Sequence, residues 1–216
     1  MNNFNDIIFQ LKTRINYSLP GEKIQLELAP AERKANYPDL NSIQDPKISA
    51  VAILLYPKNG EIFFPVIERV KYKGVHSGQL ALPGGKKDKT DKDILNTAIR
   101  ETKEEIGVEI NEKNILGKLT ELFIPPSNFL VTPCVAFSNT KPDFKINKTE
   151  VEKVYELSLN ELCTQQIKTS FVRSSSDGKK ILSPHFEVEG EVLWGATAMI
   201  LNELRTIFKE ITETVI

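Results

Sequence analysis

Three glutamates carry most of the chemistry this sequence offers. The segment Ala98-Ile99-Arg100-Glu101-Thr102-Lys103-Glu104-Glu105-Ile106-Gly107-Val108 brings Glu101, Glu104 and Glu105 close together. On a helix over residues 92–106, with about 3.6 residues per turn, they share an arc of roughly 100°. Leu95, Ile99, Thr102 and Ile106 share another side. Like charges at these spacings repel. A hard divalent cation, Mg²⁺ or Mn²⁺, removes that penalty, because both ions take oxygen ligands and share them with water and substrate phosphates. The same pattern also describes a solvated acidic helix face.

The residues around the trio could complete a site, or be the ordinary cap of a solvated helix. Gly84-Gly85 lack a Cβ, so their backbone carbonyl and amide groups can approach a metal or a polyphosphate closely. Arg100 can brace one carboxylate through a bidentate pair. Gly107 stands where a helix end favours positive φ. Asp88 and Asp91 are expected to cap or steady the entrance to the helix. Cys134 and Cys163 lack Cys-x-x-Cys spacing, and His185 is isolated, so a structural zinc site is not expected.

The elements that position these groups follow from patterning. Residues 2–15 place Phe4, Ile7, Ile8, Leu11 and Ile15 at helical steps, with Asn2 or Asn3 as cap and Pro20-Gly21 as a stop. Residues 1–49 read as this helix followed by a proline-punctuated wrapping arm, and residues 50–216 as the main domain. A buried strand is expected at 50–57 and a second at 61–69, joined by the hairpin turn Asn59-Gly60. Strands are also expected at 115–124, 129–138 and 181–188, with helices at 158–167 and 194–211. The interleaving of strands and helices is irregular, and no repeat or low-complexity tract occurs.

Composition narrows the class. Among 216 residues, 28 Lys plus Arg stand against 29 Asp plus Glu, giving a formal net charge of -1. No global basic excess draws in nucleic acid. The N-terminal residues are too polar for a secretory leader, and no apolar run approaches the roughly 20 residues that span a bilayer. The expectation is a soluble, cytoplasmic protein with no membrane partner. The N-terminal helix or arm is a candidate homodimer surface, or packs within its own subunit.

The glycine–glutamate pattern resembles the box of the Nudix hydrolases. The family's glycine falls on Gly85, its Arg-Glu on Arg100-Glu101, its Glu-Glu on Glu104-Glu105, and its closing Gly-apolar pair on Gly107-Val108. Two positions depart: Asp91 replaces the first glutamate, with eight residues rather than seven before Arg100, and Thr102 replaces an apolar residue. The stretch His76-Ser77-Gly78-Gln79-Leu80-Ala81-Leu82-Pro83-Gly84-Gly85, with Arg69 upstream, resembles the coenzyme A pyrophosphatase subgroup. Val131-Thr132-Pro133, Glu150-Val151 and Trp194-Gly195-Ala196-Thr197-Ala198 extend that likeness to about residues 50–205.

The resemblance implies an α/β fold, an α/β/α sandwich around a mixed β-sheet, and hydrolysis of a nucleoside diphosphate derivative with Mg²⁺ or Mn²⁺. It implies Glu101, Glu104, Glu105 and the Gly85 carbonyl as metal ligands, with Arg100 orienting a glutamate. Glu150 is the best distant candidate for general base, or else a surface acid in a polar loop. For coenzyme A or acyl-coenzyme A, the products are 3',5'-ADP and (acyl-)4'-phosphopantetheine. Arg69, Lys71, Lys73 and His76 then become candidates to bind the 3'-phosphate, and Gly84 and Gly85 to line the substrate site. Phe123, Phe129 and Trp194 are candidates for a base or pantetheine pocket, or for core. The alternative substrate is another nucleoside diphosphate derivative, such as ADP-ribose or NADH. His76-Ser77 is not expected to act as a nucleophilic pair, and no Gly-x-Ser-x-Gly elbow is present.

Overall fold

The computed structural model describes residues 3–71, 77–173 and 178–213. Helix α1 (Phe4–Tyr17) is capped by Asn3, whose side chain accepts the Asp6 N–H at 2.9 Å. Short helices α2 (Glu22–Gln25) and α3 (Ala31–Ala35) follow, so the proline-punctuated arm carries local helical structure. Strands β1 (Lys47–Lys58) and β2 (Glu61–Arg69) form the expected hairpin. Asn59 and Gly60 both take positive φ, 52° and 80°, as a tight primed turn requires.

Strands β3 (Leu80–Ala81) and β4 (Gly84–Lys86) lead to helix α4 (Ile94–Ile106). The expected strand at 115–124 is two strands, β5 (Ile115–Lys118) and β6 (Leu122–Ile124), separated by the loop at Leu119–Glu121. Strand β7 (Phe129–Phe137) and strand β8 (Val151–Ser158) complete the large sheet. Then come α5 (Leu159–Thr164), β9 (Lys168–Arg173), β10 (Lys180–Val188), β11 (Glu191–Trp194) and α6 (Gly195–Glu213). Trp194 closes β11 rather than opening α6.

The eight-stranded sheet runs β3-β2-β1-β7-β5, with β4 also on β1, β6 on β7 and β8 on β2. Only β1 and β7 are parallel among these pairs, so the sheet is mixed. Strand β1 is apolar on both faces because each is covered. Ala50, Ala52 and Leu54 pack with Ala98 and Ile106 of α4. Ile53 and Leu55 pack with Leu11 of α1 and Leu201 and Leu204 of α6. The result is the expected α/β sandwich. A separate three-stranded antiparallel sheet, β11-β10-β9, packs against α6. Among the described residues no helix is long and apolar enough to cross a membrane.

A buried carboxylate ties the N-terminal arm down. Glu203 of α6 is 0% exposed. Its Oε1 accepts from Gly21 N–H at 3.0 Å and Thr120 Oγ1 at 2.6 Å. Its Oε2 accepts from Gln25 Nε2 at 2.8 Å and Thr120 N–H at 3.1 Å. Three distant segments thus meet on one side chain, and these four bonds offset the cost of burying its charge. Glu203→Gln puts an NH₂ group where donors converge and is expected to lower stability by about 2–3 kcal/mol. Urea unfolding checks this; an unchanged midpoint would contradict the role.

Candidate active site

Strand β4 forms one wall of the site. It pairs antiparallel with β1 in the register Val51↔Gly84, Ala50↔Gly85 and Ser49↔Lys86. A Cβ on Gly84 would stand 2.3 Å from the Ala50 carbonyl oxygen, so only glycine permits this approach. A Cβ on Gly85 would stand 2.4 Å from the carboxyl carbon of Glu101. The missing side chain is therefore the space that the Glu101 carboxylate occupies.

Helix α4 supplies the other wall. Its N-cap is Asp93, which accepts the Asn96 N–H at 2.9 Å, and Gly107 ends it at φ 71°. Asp88 and Asp91 do not cap the helix; they order the loop before it. Asp88 Oδ1 accepts from Thr90 N–H at 2.9 Å and Thr90 Oγ1 at 2.8 Å. Asp91 Oδ2 accepts from Asp88 N–H at 2.8 Å and Thr97 Oγ1 at 2.9 Å.

Arg100 joins the loop to the acidic face. Its Nε and Nη2 grip Asp91 at 2.9 Å each. Its Nη1 donates to Glu101 at 2.7 Å and to Glu104 at 2.9 Å. Nη2 also donates to the Lys86 carbonyl at 3.0 Å. All five guanidinium N–H groups are accounted for. The pair with Arg100 holds the Asp91 carboxyl far below the usual carboxylate range, and the Asp91 partnership holds the guanidinium more firmly protonated still.

Glu105 is fixed differently. Its side chain is 1% exposed; Oε2 accepts the Gly84 N–H at 2.8 Å, and Arg69 Nη1 lies 3.3 Å from Oε1. Burial pushes its carboxyl up to about 7, against the opposing pull of Gly84 N–H and Arg69. The charges of Glu101 and Glu150 push in the same direction as burial. Burial also raises Glu101, with Arg100 opposing and Glu104 and Glu150 adding to the rise. Glu150 is exposed, and its carbonyl accepts the Val70 N–H at 3.1 Å, which holds it beside the end of β2.

Four carboxylates therefore act on one another, and two are raised by burial. That donor set, all hard oxygen, is of the kind Mg²⁺ or Mn²⁺ takes, and a bound cation would relieve its repulsion. Among the described residues, no three such side chains are already gathered around a metal position. Glu101 and Glu104 turn to Arg100, and Glu105 turns to Gly84 and Arg69.

A cavity of about 310 Å³ opens beside Gly84 and Gly85. Arg69, Phe129, Val131, Trp194 and Thr197 contribute to its walls. Phe129 and Trp194 thus line a cavity, whereas Phe123, 7% exposed, belongs to the core.

The NUDIX domain family model matches residues 46–174. The chain belongs to the Nudix family. It is 34% identical over 131 residues to the uncharacterized Nudix hydrolase NudL of Pectobacterium atrosepticum, covering 60% of this chain and 66% of that protein. It is 32% identical over 129 residues to the uncharacterized Nudix hydrolase NudL of Photorhabdus laumondii, covering 60% and 68%. The matches span about two thirds of the length of these relatives. A crystal structure of a MutT/nudix family protein from Enterococcus faecalis aligns with TM-score 0.53 and 17% identity, covering 88% of this chain and 75% of that one. At that identity the likeness is one of fold.

The Nudix box brings Arg100, Glu101, Glu104 and Glu105 together with Gly84, Gly85 and Arg69. Lys73 and His76 lie outside the described residues. Lys71 packs its side chain beside Gly78. Sequence patterning does not reveal the contact between Arg69 and Glu105, or Asp91 as the partner of Arg100; neither pairing has a periodic signature. Asp91→Asn breaks the bidentate grip and is expected to lower stability at pH 7 by about 2 kcal/mol. Because the folded carboxyl lies below its unfolded value of about 3.9, Asp91 stabilises the fold above that pH and loses this contribution as pH falls. Urea unfolding at pH 7 and pH 3 is therefore expected to show a smaller penalty for the variant at pH 3. An equal penalty at both would contradict the assignment.

Proposed function

We propose that this chain hydrolyses the diphosphate bond of coenzyme A or acyl-coenzyme A, giving 3',5'-ADP and (acyl-)4'-phosphopantetheine. One observation carries the reading. Leu80–Gly85, Val131 and Trp194–Thr197, the distant segments that carry the subgroup resemblance, contribute residues to one cavity beside Glu101 and Glu105. That cavity combines apolar walls with the Arg69 cation, which suits a nucleotide linked to a less polar arm.

Glu101, Glu104, Glu105 and the Gly85 carbonyl would hold Mg²⁺ or Mn²⁺. The bound cation supplies Lewis-acid stabilisation of the charge that develops on the phosphoryl oxygens. Arg100 keeps Glu101 and Glu104 on the side of the glycine turn. Arg69, which lines the cavity, would meet the substrate phosphates, and Lys73 and His76 of the same sequence run are further candidates for that role. Water attacks one phosphorus, the bond from that phosphorus to the bridging oxygen breaks, and that oxygen leaves on the second phosphate. Glu150 takes the proton of the attacking water, directly or through one more water. Its charge already acts on both Glu101 and Glu105.

Chromatography and mass spectrometry of coenzyme A incubated with the protein test the reading. Metal-dependent 3',5'-ADP and 4'-phosphopantetheine are expected; intact coenzyme A with folded protein would overturn the substrate. Glu104→Gln and Gly85→Ala are each expected to fold and to lose about a hundredfold in turnover, close to 2.7 kcal/mol of transition-state stabilisation. In the second variant the new methyl group displaces the flexible Glu101 carboxylate rather than backbone. Near-normal turnover of either variant at saturating Mg²⁺ would contradict the ligand assignment.

A further inference from the structure

A second cavity, of about 470 Å³, shares Lys86 with the first. Lys47, Lys86, Lys87 and Lys89 line it, together with Asp45, Asp88 and Asp91. The ladder between β1 and β4 puts these lysines together. Ser49 is opposite Lys86, and Lys87 N–H donates to the Ile48 carbonyl at 2.9 Å, so the chain leaves β4 alongside Lys47. Lys89 follows on the loop that Asp88 and Asp91 order.

The charges in this cavity are unbalanced. Asp88 is committed to Thr90, and Asp91 to Arg100, Thr97 and the Asp88 amide. Thr90 is neutral and leaves the charge of Asp88 in place, so Asp45 and Asp88 remain against the four lysines. Among the described residues none of the four has an ion-pair partner. Like charges on four lysines that line one concavity repel, and an anion with several acceptor oxygens relieves that repulsion. The cavity also adjoins the site. Lys86 borders both cavities, and the Lys47 ammonium sits 5.4 Å from the ring centre of Phe129, which lines the first.

We propose that Lys47, Lys86, Lys87 and Lys89 form a subsite for a phosphomonoester that the substrate carries outside the diphosphate being cut. This rests on the reading of the first cavity as a nucleotide site. The subsite selects nucleotides bearing an extra phosphate over the same nucleotides without it, and takes no part in bond cleavage.

Isothermal titration with adenosine 3',5'-bisphosphate and with adenosine 5'-monophosphate tests this on the full chain. The wild type is expected to bind the bisphosphate about tenfold more tightly, the scale of a charge contact worth about 1.4 kcal/mol. A Lys87→Ala/Lys89→Ala protein, shown to be folded by circular dichroism, is expected to lose that preference while its affinity for the monophosphate stays within about twofold. Equal binding of the two ligands by the wild type, a preference retained in the variant, or equal weakening of both ligands would each overturn the subsite. Failure of both ligands to bind the wild type would overturn the nucleotide site itself and the subsite with it. A preference that disappears in the variant upholds the subsite even if coenzyme A is not hydrolysed.

Discussion

Arg100 is the constraint on which the site depends. Its guanidinium spends five N–H groups on Asp91, Glu101, Glu104 and the Lys86 carbonyl, and so joins a loop, a strand and two turns of a helix. A lysine, with one ammonium and three donors, could not reproduce that planar fork. The Asp91 half of the grip is structural. The glutamate half sets where two carboxylates stand, and Gly85 keeps open the space into which one of them fits. Stability and the placement of acidic groups therefore share one side chain.

Glu105 shows the complementary arrangement. It is buried where a charge is costly, held by a backbone N–H and a more distant arginine, and acted on by the charges of Glu101 and Glu150. A cation beside it would favour its charged form. The two-sided sheet makes this arrangement rigid. Ala50 and Ala52 of β1 let α4 lie close to the sheet, while larger Ile53 and Leu55 fill the opposite side under α1 and α6.

Much of this was legible in the sequence. The β1–β2 hairpin announced itself through Asn59-Gly60 between apolar runs, and α4 through its periodicity and the closing Gly107. The grouping of Arg100 and the three glutamates followed from helical spacing. The misses have physical causes. Strand β8, Val-Glu-Lys-Val-Tyr-Glu-Leu-Ser, mixes charges into a half-buried strand, and the polar residues before it read as loop. Strands β9 and β11 are short and owe their form to pairing with β10. Thr97 and Glu105 are buried on α4 because they bond to Asp91 and to Gly84, contacts between segments that no local pattern encodes. The lysine cavity depends on the register of β1 against β4, which the sequence does not specify.

The central claim is that the acidic face of α4 and the glycine turn together hold a divalent cation. Binding of Mn²⁺, followed by electron paramagnetic resonance with and without nucleotide, tests it most directly. Wild type is expected to take up Mn²⁺, and Glu109→Gln, altered at an exposed glutamate paired with Lys103, to match it. Glu101→Gln, Glu104→Gln and Glu105→Gln are each expected to weaken binding by about tenfold or more. Uptake by these three variants equal to wild type, or no uptake by the wild type under either condition, would contradict the account.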